Sequence, residues 1–404
     1  DIIKNYNMNI AIIGGGAAGF IAAITTKERN PSSNVTIYEK NSKVLSKVLV
    51  SGGGRCNVTH NCQSVSNLLK AYPRGSKELK RPFTLFGVIE TIKWFKSRGV
   101  ELKIENDNRM FPVSNKSSTI ANCLIDNARK LNITICMSSK VEKIEYKNNM
   151  SLLSVNNENI ECHKLIIATG GFAREKGFDI FKSLGYDIIA PVPSLFTFNI
   201  TDDVIKSLMG ISVENATCTI QGKKLKQTGP ILITHWGFSG PAILKLSAYG
   251  ANLLSENNYD FSIHINWLNE NEEIIRNKLI NLKKSNSLVE LNNPFKLPKR
   301  LWKYFLDKNK ITDTQKWLDI KNKQFNKLIN TLVNDEYKIK GKTTFKEEFV
   351  TCGGINLKNI NMQNMESKLH SNIYFAGEVL NIDAITGGFN FQAAWTTGFL
   401  AGNN

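Results

Sequence analysis

The sequence predicts an α/β fold in which a Rossmann-type domain is split into two pieces by an antiparallel β-barrel-like domain and a small helical domain. Three observations support this prediction. Residues 9–40 contain a strand, a glycine turn, a helix and a second strand, which is the pattern of a βαβ unit. Residues 195–264 consist of short alternating stretches typical of an antiparallel sheet or barrel. Residues 251–340 contain no glycine and three helix-like stretches, after which a buried strand returns at 372–376.

The expected domain boundaries follow from these changes in pattern. The Rossmann-type domain takes residues 1–190 and 341–404. The inserted β domain takes 191–265, and the inserted helical domain takes 266–340.

The glycine turn provides the main functional signal. Gly14, Gly16 and Gly19 follow the first strand with the spacing Gly-x-Gly-x-x-Gly. The first glycine permits a tight turn, the second lets the backbone approach a pyrophosphate, and the third lets the helix pack closely on the strand. Glu39 lies 20 residues beyond Gly19, where a carboxylate can accept hydrogen bonds from a ribose diol and disfavours a 2′-phosphate. We therefore predict a dinucleotide site, the alternative being a tight turn without a ligand.

Two segments complete the first piece of this domain. Residues 117–131 have a helical apolar stripe, and Ser117 or Ser118 is the expected N-cap. Residues 164–169 are a buried strand that leads into Gly170 and Gly171. Ligands of doubly wound sheets bind beyond the carboxyl ends of the strands, so the turn should lie at the dinucleotide. Taken alone, it could be an ordinary strand-to-helix turn.

The segment Ser51–Asn57 is an unusual glycine loop. It reads Ser-Gly-Gly-Gly-Arg-Cys-Asn. Three consecutive glycines cost backbone entropy, which is reasonable where the backbone lies against a flat or charged ligand. Arg55 is expected to pair with a phosphate, and Asn57 to bond a ring edge. A flexible surface loop is the alternative.

The stretch 376–392 is the second strong signal. Glu378 follows a strand, and its carboxylate is suited to hold a ribityl hydroxyl. After Gly387 and Gly388, residues 391–401 are predicted to form a helix. Its N-terminal dipole, placed near a flavin, would stabilise the anionic reduced form. A C-terminal packing helix is the alternative.

Catalytic side chains are not identified by the sequence. His235 lies in a polar, aromatic loop of the β insertion, but a single histidine is more often structural than catalytic. Arg55 and His235 are therefore only candidates. Cys56 has no CxxC partner and is interpreted as a small loop residue.

The composition favours a soluble enzyme of the cytoplasm. The chain has 404 residues, of which 42% are hydrophobic and 22% charged, close to globular averages. No apolar run approaches the roughly 18 residues of a membrane span. The opening residues lack the apolar core of a signal peptide, so none is expected. The seven cysteines form no CxxC pair, so neither a disulfide framework nor a metal site is expected.

The net charge of +17 raises the question of an anionic partner. Residues 267–342 contain 17 Lys and Arg against nine Asp and Glu. A basic patch of this size is compatible with nucleic acid. The cations are spread out rather than clustered, so a solvated lysine-rich surface is the preferred interpretation.

Together, these motifs resemble one family, the FAD-dependent oxidoreductases related to aminoacetone oxidase and to the bile-acid flavoenzyme BaiN. The resemblance covers almost the whole chain and is weakest over 265–340. Besides the glycine turn and Glu39, it is carried by SGGGRCNVT at 51–59, RMFPVS at 109–114, ATGG at 168–171, THWGFSGPAIL at 234–244, VTCGGI at 350–355, MESK at 365–368 and AGEVLNIDAITGGFNFQAAW at 376–395.

The resemblance implies non-covalently bound FAD. Glu39 would hold the adenosine ribose, Val141 would offer backbone groups to adenine, and Glu378 would hold the ribityl chain. The full set of expected FAD-binding residues is Gly14, Gly16, Ala17, Ala18, Gly19, Glu39, Lys40, Lys47, Ser51, Gly52, Gly53, Gly54, Arg55, Asn57, Val141, Thr169, Gly170, Gly171, Gly377, Glu378, Gly387, Gly388, Phe389, Asn390 and Gln392.

The chain departs from the family pattern near the expected cofactor. Leu45 and Ser46 replace a usual Gly-Arg, so that only Lys47 of that motif carries over. Phe172-Ala173-Arg174 replaces a usual Ser-x-Pro, and Asn381 stands where an Asp is common. These changes put FAD affinity and substrate access in question, though not FAD as the cofactor.

The leading functional hypothesis is an FAD-dependent oxidoreductase acting on a small organic substrate. No second GxGxxG with its own acid follows, so NAD(P)H would dock only transiently. Either an amine-type substrate reduces the flavin, or NAD(P)H does so and an enone-type substrate is reduced; the sequence does not choose. The alternatives are a flavoprotein that modifies tRNA and a non-enzymatic FAD-binding module. The oligomeric state is not predicted.

Overall fold

The computed structural model describes residues 8–344 and 350–404. They form two compact units, one containing the described residues up to Pro193 and from Val350 onward, the other those from Ser194 to Thr344. The two-piece α/β fold with an inserted barrel is confirmed. A helical domain separate from the barrel stays a prediction.

The strands are numbered in chain order over the described residues. They are β1 Asn9–Ile13, β2 Asn34–Tyr38, β3 Thr59–His60, β4 Leu102–Ile104, β5 Arg109–Pro112, β6 Thr134–Cys136, β7 Val141–Lys147, β8 Met150–Val155, β9 Glu158–Cys162, β10 Lys164–Ile167, β11 Ile188–Ser194, β12 Thr197–Ile200, β13 Ser212–Ile220, β14 Lys226–Ile233, β15 Gly237–Ser239, β16 Asp260–Asn266, β17 Asp335–Thr343, β18 Val350–Ile355, β19 Ile360–Asn361, β20 Glu366–Ser367 and β21 Ile373–Phe375.

The helices are numbered in the same way. They are α1 Ala17–Arg29, α2 Ser46–Gly54, α3 Val65–Leu69, α4 Lys80–Leu85, α5 Val88–Lys96, α6 Ser117–Lys130, α7 Asp179–Lys182, α8 Asp203–Lys206, α9 Pro241–Tyr249, α10 Ala251–Glu256, α11 Glu272–Leu282, α12 Lys299–Lys308, α13 Asn322–Val333 and α14 Phe389–Gly402. Among the described residues, no helix combines the length and the apolar character needed to cross a membrane. A cytoplasmic location stays a prediction.

A seven-stranded sheet forms the centre of the first unit, in the order β19-β20-β21-β10-β1-β2-β6. The strands from β21 to β6 run parallel. Nearly every residue of β1 and β10 is buried, as expected for parallel strands covered on both faces. Parallel strands end at the same edge, so this edge brings together Gly14 after β1, Glu39 after β2, Thr169 after β10 and Gly377 after β21.

Two helices of the first unit pack closely because small residues line their contact. A Cβ atom added to Gly398 of α14 would lie 2.5 Å from the carbonyl oxygen of Ala18 in α1. One added to Gly402 would lie 2.5 Å from that of Ala22. The glycines therefore allow backbone-to-backbone approach, and the C-terminal helix rests directly on the helix that follows the glycine turn.

The expected cap of α6 is wrong, although the helix itself lies where predicted. The N-cap residue is Lys116, which makes no side-chain capping bond. The Ser117 hydroxyl instead donates to the carbonyl oxygen of Leu49 in α2, at 2.7 Å. Tertiary contact with α2 has thus taken the hydroxyl that the sequence pattern assigned to the cap.

The second unit contains a closed six-stranded barrel in the order β12-β15-β14-β13-β16-β17. Its side chains alternate between the interior and the solvent, most clearly along β17. The helices α11 to α13 are inserted between β16 and β17, which are neighbouring strands of the barrel.

A buried carboxylate ties α12 to the barrel. Asp335 of β17 is only 2% exposed and accepts hydrogen bonds from Trp267 Nε1 at 3.0 Å, from Lys308 Nζ at 2.6 Å and from the Tyr337 hydroxyl. Burial raises the pKa of this carboxyl, and the lysine opposes that effect. We read this network as structural, since it fixes the helical segment to the sheet that surrounds it.

Candidate functional site

The three glycines of the turn after β1 have different surroundings: two are packed against backbone, and one borders space that no described atom fills. Gly14 has φ +112°, and a Cβ there would overlap the carbonyl oxygen of Ala168. A Cβ on Gly19 would overlap the carbonyl oxygen of Gly14. Gly16, in contrast, would meet no described atom within 4 Å. It is the N-cap of α1 and offers no side-chain cap, so the first N–H groups of that helix face the open side of the turn.

Glu39 is built into this turn from the neighbouring strand. The residue is 8% exposed. Its Oε2 accepts from the Gly15 N–H at 2.8 Å, and its Oε1 accepts from the backbone and side-chain nitrogens of Asn41 at 2.9 and 2.7 Å. The carboxylate thereby holds the turn in shape. It lies at the edge where a ribose is expected, and its role as a ribose ligand stays a prediction.

The segment Ser51–Asn57 overlaps the end of α2, where the backbone kinks and leaves helical geometry at Ser51, Gly52 and Gly53. Gly52, Gly53 and Gly54 have φ of +59°, +67° and +80°, which favours glycine at all three positions. The last two would meet nothing within 4 Å, so their backbone borders open space. The Asn57 amide lies 3.0 Å from both the Gly388 N–H and the Thr59 carbonyl oxygen, and assigning its oxygen to the first and its nitrogen to the second satisfies both groups. This amide joins the loop to the start of α14.

Arg55 is held by two contacts within the protein. Its Nη1 donates to Glu105 at 2.6 Å, and its guanidinium lies 4.0 Å from the centroid of the Phe111 ring. These contacts engage only part of the guanidinium, and the expected phosphate contact stays a prediction. A structural role, closing the glycine loop onto β4 and β5, is what the contacts describe.

Cys56 is unsuited to redox chemistry. Its side chain is buried, and desolvation raises the pKa of the thiol to about 12. A thiolate is therefore not populated near neutral pH. The interpretation as a loop residue stands.

Glu378 meets Lys47 from the opposite side of the site. Its Oε2 lies 2.6 Å from the Lys47 ammonium, and its Oε1 accepts from the Thr351 N–H at 3.0 Å. Gly171 packs against this group, since a Cβ there would lie 2.7 Å from the Thr351 hydroxyl. Thr351 was not among the expected site residues. The VTCGGI segment at 350–355 was the only sequence signal for it.

The turn at Gly387–Gln392 uses the side chains of Asn390 and Gln392 within the protein, and their contact with FAD stays a prediction. Asn390 bonds both backbone groups of Ala384, at 2.9 and 3.0 Å. Gln392 is fully buried; its nitrogen donates to Thr91 and Thr396, and its oxygen accepts from Thr59 at 2.6 Å. Both side-chain amides are thus engaged within the protein.

His60 is a further residue that sequence reasoning missed. Its Nδ1 lies 3.1 Å from the carbonyl oxygen of Gly387, and its ring stacks on Phe389 with 4.5 Å between centroids. It directly follows the SGGGRCNVT segment. Position in the chain was therefore the only available signal.

The remaining expected residues take simpler positions. Gly170, with φ +73°, borders open space, and Thr169 bonds its carbonyl oxygen at 3.2 Å. Gly377 donates to Thr397 at 2.9 Å. Lys40 lies 5.8 Å from the centroid of the Phe172 ring. Val141 starts β7 and is half-buried. Ala17 and Ala18 of α1 are buried.

The departures from the family pattern have visible structural effects. Leu45 has φ +58°, a left-handed conformation that glycine would adopt without strain, and its buried side chain offsets that strain. Phe172 packs edge-on to Phe178 at 4.8 Å. The side-chain amide oxygen of Asn381, Oδ1, is buried without a hydrogen-bond partner among the described residues. Ser46 begins α2, and Ala173 and Arg174 lead into a 3₁₀ turn at Glu175–Phe178.

His235 lies in the barrel unit and is exposed. Its ring centroid is 3.8 Å from that of Trp236, which is also exposed. The structure gives it no carboxylate or nucleophilic partner among the described residues. Its catalytic role stays a candidate only.

The residues at the sheet edge fit a dinucleotide with a flavin. Four glycines, Gly16, Gly53, Gly54 and Gly170, border space that no described atom fills. The N-terminus of α1 offers N–H donors to a pyrophosphate, and acids stand after β2 and β21. Together, fold and site define a flavin-dependent enzyme of the Rossmann class.

Comparison with known proteins specifies the class. Residues 8–404 match the family model described as HI0933-like protein Rossmann domain, and the chain belongs to that family. It is an FAD-dependent oxidoreductase.

Two curated relatives span the whole chain. A ribosomal RNA dihydrouridine synthase of Haemophilus influenzae is 28% identical, with 98% of each chain covered. A 3-dehydro-bile acid Δ4,6-reductase of Clostridium scindens is 25% identical, with 97% of this chain and 98% of the relative covered. The bile-acid side of the family resemblance is thus supported, while a specific kinship with aminoacetone oxidase stays a prediction.

A solved structure shares the fold. The 3-ketosteroid Δ4-(5α)-dehydrogenase of Rhodococcus jostii, solved with 4-androstene-3,17-dione, superposes with a TM-score of 0.53 at 15% identity. The superposition covers 100% of this chain and 98% of the dehydrogenase. At this identity the likeness concerns the fold alone.

Proposed function

We propose that the protein uses FAD and NAD(P)H to reduce a carbon–carbon double bond conjugated to a carbonyl group in a small organic substrate. The observation that carries the proposal is a chemistry shared by the two full-length relatives. One is named for removing Δ4,6 double bonds from a 3-dehydro bile acid, and the other for making dihydrouridine. Both names describe saturation of a double bond conjugated to a carbonyl. Of the two reaction types that the sequence left open, this favours enone reduction over amine oxidation.

The chain's own residues would bind and orient the cofactor. The Gly14–Gly19 turn and α1 would hold the pyrophosphate, Glu39 the adenosine ribose, and Glu378 the ribityl chain. Gly388, whose N–H is taken by Asn57, would fix the start of α14 beside the flavin. Bound FAD supplies a hydride acceptor and donor at its isoalloxazine ring, and the helix N-terminus would stabilise its reduced anion.

The electron donor would bind transiently. The described residues contain one strand–glycine turn–helix–strand unit with an acid, and FAD occupies it in this proposal. NAD(P)H would therefore reduce the flavin and leave before the substrate enters.

The test is anaerobic reduction of the FAD-loaded protein. We expect NADH or NADPH to bleach the flavin band near about 450 nm, a region typical of oxidised flavin. 4-Androstene-3,17-dione, an enone, should restore the band, and mass spectrometry should find a product with two added hydrogens. Bleaching by aminoacetone but by neither nucleotide would overturn the proposal in favour of amine oxidation.

A second candidate substrate is uridine within ribosomal RNA. Two cations, one on α11 and one directly after it, bond amides of α13, and the first of them, Arg276, also pairs with Glu272 at 2.7 Å. Arg276 donates to Asn326 at 2.8 Å, and Lys283 donates to Asn322. Lys323 and Lys327 are exposed one turn apart on α13. A surface of cations and amides suits a phosphate backbone.

Two measurements separate the candidates. Retention of ribosomal RNA at low salt and its release at higher salt, together with dihydrouridine formed in NADPH-supplied reactions, would favour the RNA substrate. Absence of binding at low salt would leave the small enone.

A further inference from the structure

The buried hydroxyl of Thr351 has no hydrogen-bond partner in the part of the chain that the structure describes. Thr351 lies on β18 and is 1% exposed. Among the described residues, its Oγ1 has no partner. Leaving a buried hydroxyl unpaired costs stability, so such a group calls for an explanation.

The surroundings of this hydroxyl point to Glu378. The Thr351 N–H already donates to Glu378 Oε1 at 3.0 Å. A Cβ built on Gly171 would lie 2.7 Å from the Thr351 Oγ1 and 3.2 Å from the Glu378 Cδ, so the hydroxyl and the carboxylate border the same small space. The other carboxylate oxygen, Oε2, is held by Lys47 at 2.6 Å.

We propose that Thr351 is a positioning residue for FAD binding: its N–H and its hydroxyl together hold the Glu378 carboxylate in the orientation that receives the cofactor. In the structure Oε2 of Glu378 pairs with Lys47, and of the two Thr351 donors only the N–H bonds the carboxylate. Binding of FAD would turn the carboxylate towards the ribityl chain, and the Thr351 hydroxyl would then donate to it. The proposal rests on the contact between Glu378 and FAD, and not on which substrate is reduced.

The experiment removes the hydroxyl while keeping the side-chain shape. Thr351→Val is compared with Thr351→Ser, which retains the hydroxyl. The matched control is Thr25→Val, because Thr25 in α1 is 2% exposed and its hydroxyl is also unpaired. Two quantities are measured for each apoprotein: the thermal midpoint, and the FAD dissociation constant from the change in flavin fluorescence.

Both valine variants should keep or raise the thermal midpoint of the apoprotein, because each loses an unsatisfied buried group. Only Thr351→Val should weaken FAD, by about ten-fold, the range of one hydrogen bond to a charged group. Thr351→Ser should bind FAD like the parent. In a Glu378→Met background, which offers no oxygen to accept a hydrogen bond, Thr351→Val should weaken FAD by less than about two-fold, since both changes remove one interaction.

Three results would overturn the proposal. Thr351→Val could bind FAD with unchanged affinity. It could weaken FAD equally in the presence of Glu378 and of its methionine replacement, which would show that the hydroxyl acts elsewhere. Finally, Glu378→Met alone could leave FAD binding intact, which would remove the premise of this proposal without bearing on the proposed reductase function.

Discussion

The two glycines at the start of α1 should respond in opposite ways to the same substitution. Gly16 has φ −96° and ψ −170°, which alanine adopts without strain, and an added Cβ would meet nothing within 4 Å. Gly16→Ala should therefore leave the stability of the apoprotein within about 1 kcal/mol of the parent, because the entropy lost from the unfolded chain, roughly 0.4–1 kcal/mol, opposes the poorer N-cap preference of alanine.

Gly19→Ala should destabilise the protein, because its Cβ would overlap the carbonyl oxygen of Gly14. Overpacking against backbone costs about 1–3 kcal/mol, and the better helix propensity of alanine returns up to about 1 kcal/mol of this. The free energies of unfolding of the two variants should thus differ by roughly 1–3 kcal/mol in urea titrations of the apoproteins.

FAD binding should rank the variants differently. In Gly16→Ala, the methyl group would occupy the space into which the pyrophosphate is expected to come. Loss of one hydrogen bond to a charged phosphate corresponds to an affinity lower by about ten-fold or more. Unchanged FAD affinity in Gly16→Ala would refute the placement of the pyrophosphate, and a Gly19→Ala protein as stable as the parent would refute the packing argument.

Three further predictions concern stability and RNA. Asp383 is fully buried and paired with the Arg74 guanidinium. Asp383→Asn should therefore lower the free energy of unfolding by about 3–5 kcal/mol in urea titrations, and an effect under about 1 kcal/mol would contradict this. Burial raises the pKa of Cys162 from 9.0 to about 12. The Cys162 thiol holds its proton more tightly in the folded than in the unfolded protein. The stability that it contributes is therefore fully present below pH 9 and is lost as the pH rises towards 12. Cys162→Ala should therefore reduce the alkaline loss of stability by up to about 1.4 kcal/mol per pH unit, measured as the slope between pH 9 and 11; identical slopes would contradict it. If RNA is the substrate, Lys323→Glu with Lys327→Glu should weaken RNA retention in low-salt gel shifts at least ten-fold, whereas Lys140→Glu in the first unit should not; equal effects would mean non-specific attraction.

Elements with a strong local pattern could be predicted from the sequence. The helices α6 and α14 lie within two residues of their expected bounds, and five of the six barrel strands, β12 to β16, arise from the alternating stretches of 195–264. The sixth strand, β17 at Asp335–Thr343, lies across the expected boundary at residue 340 and was not predicted. These patterns work because burial on one face imposes a period on the chain itself. The cap of α6 could not be predicted, since Ser117 is claimed by a carbonyl 68 residues away.

The candidate site divides in the same way. Gly14, Gly16, Gly19 and Glu39 were recognisable because a βαβ turn makes its demands on the backbone within one short stretch of chain. The free or engaged state of a polar side chain is set by partners distant in sequence. Arg55 meets Glu105, and no spacing rule reveals such a pairing.

The sequence by itself thus determined the fold class and predicted a dinucleotide-binding turn, because these depend on local periodicity and on glycine conformations, and the family resemblance specified FAD as the cofactor. Only the tertiary structure decided which polar groups remain available for a ligand. It enclosed Gln392 among three threonines and, over residues 8–344 and 350–404, left the hydroxyl of Thr351 without a partner beside Glu378. The physical reason is that hydrogen-bond satisfaction depends on which strands and helices meet in space, and that information is absent from any single segment.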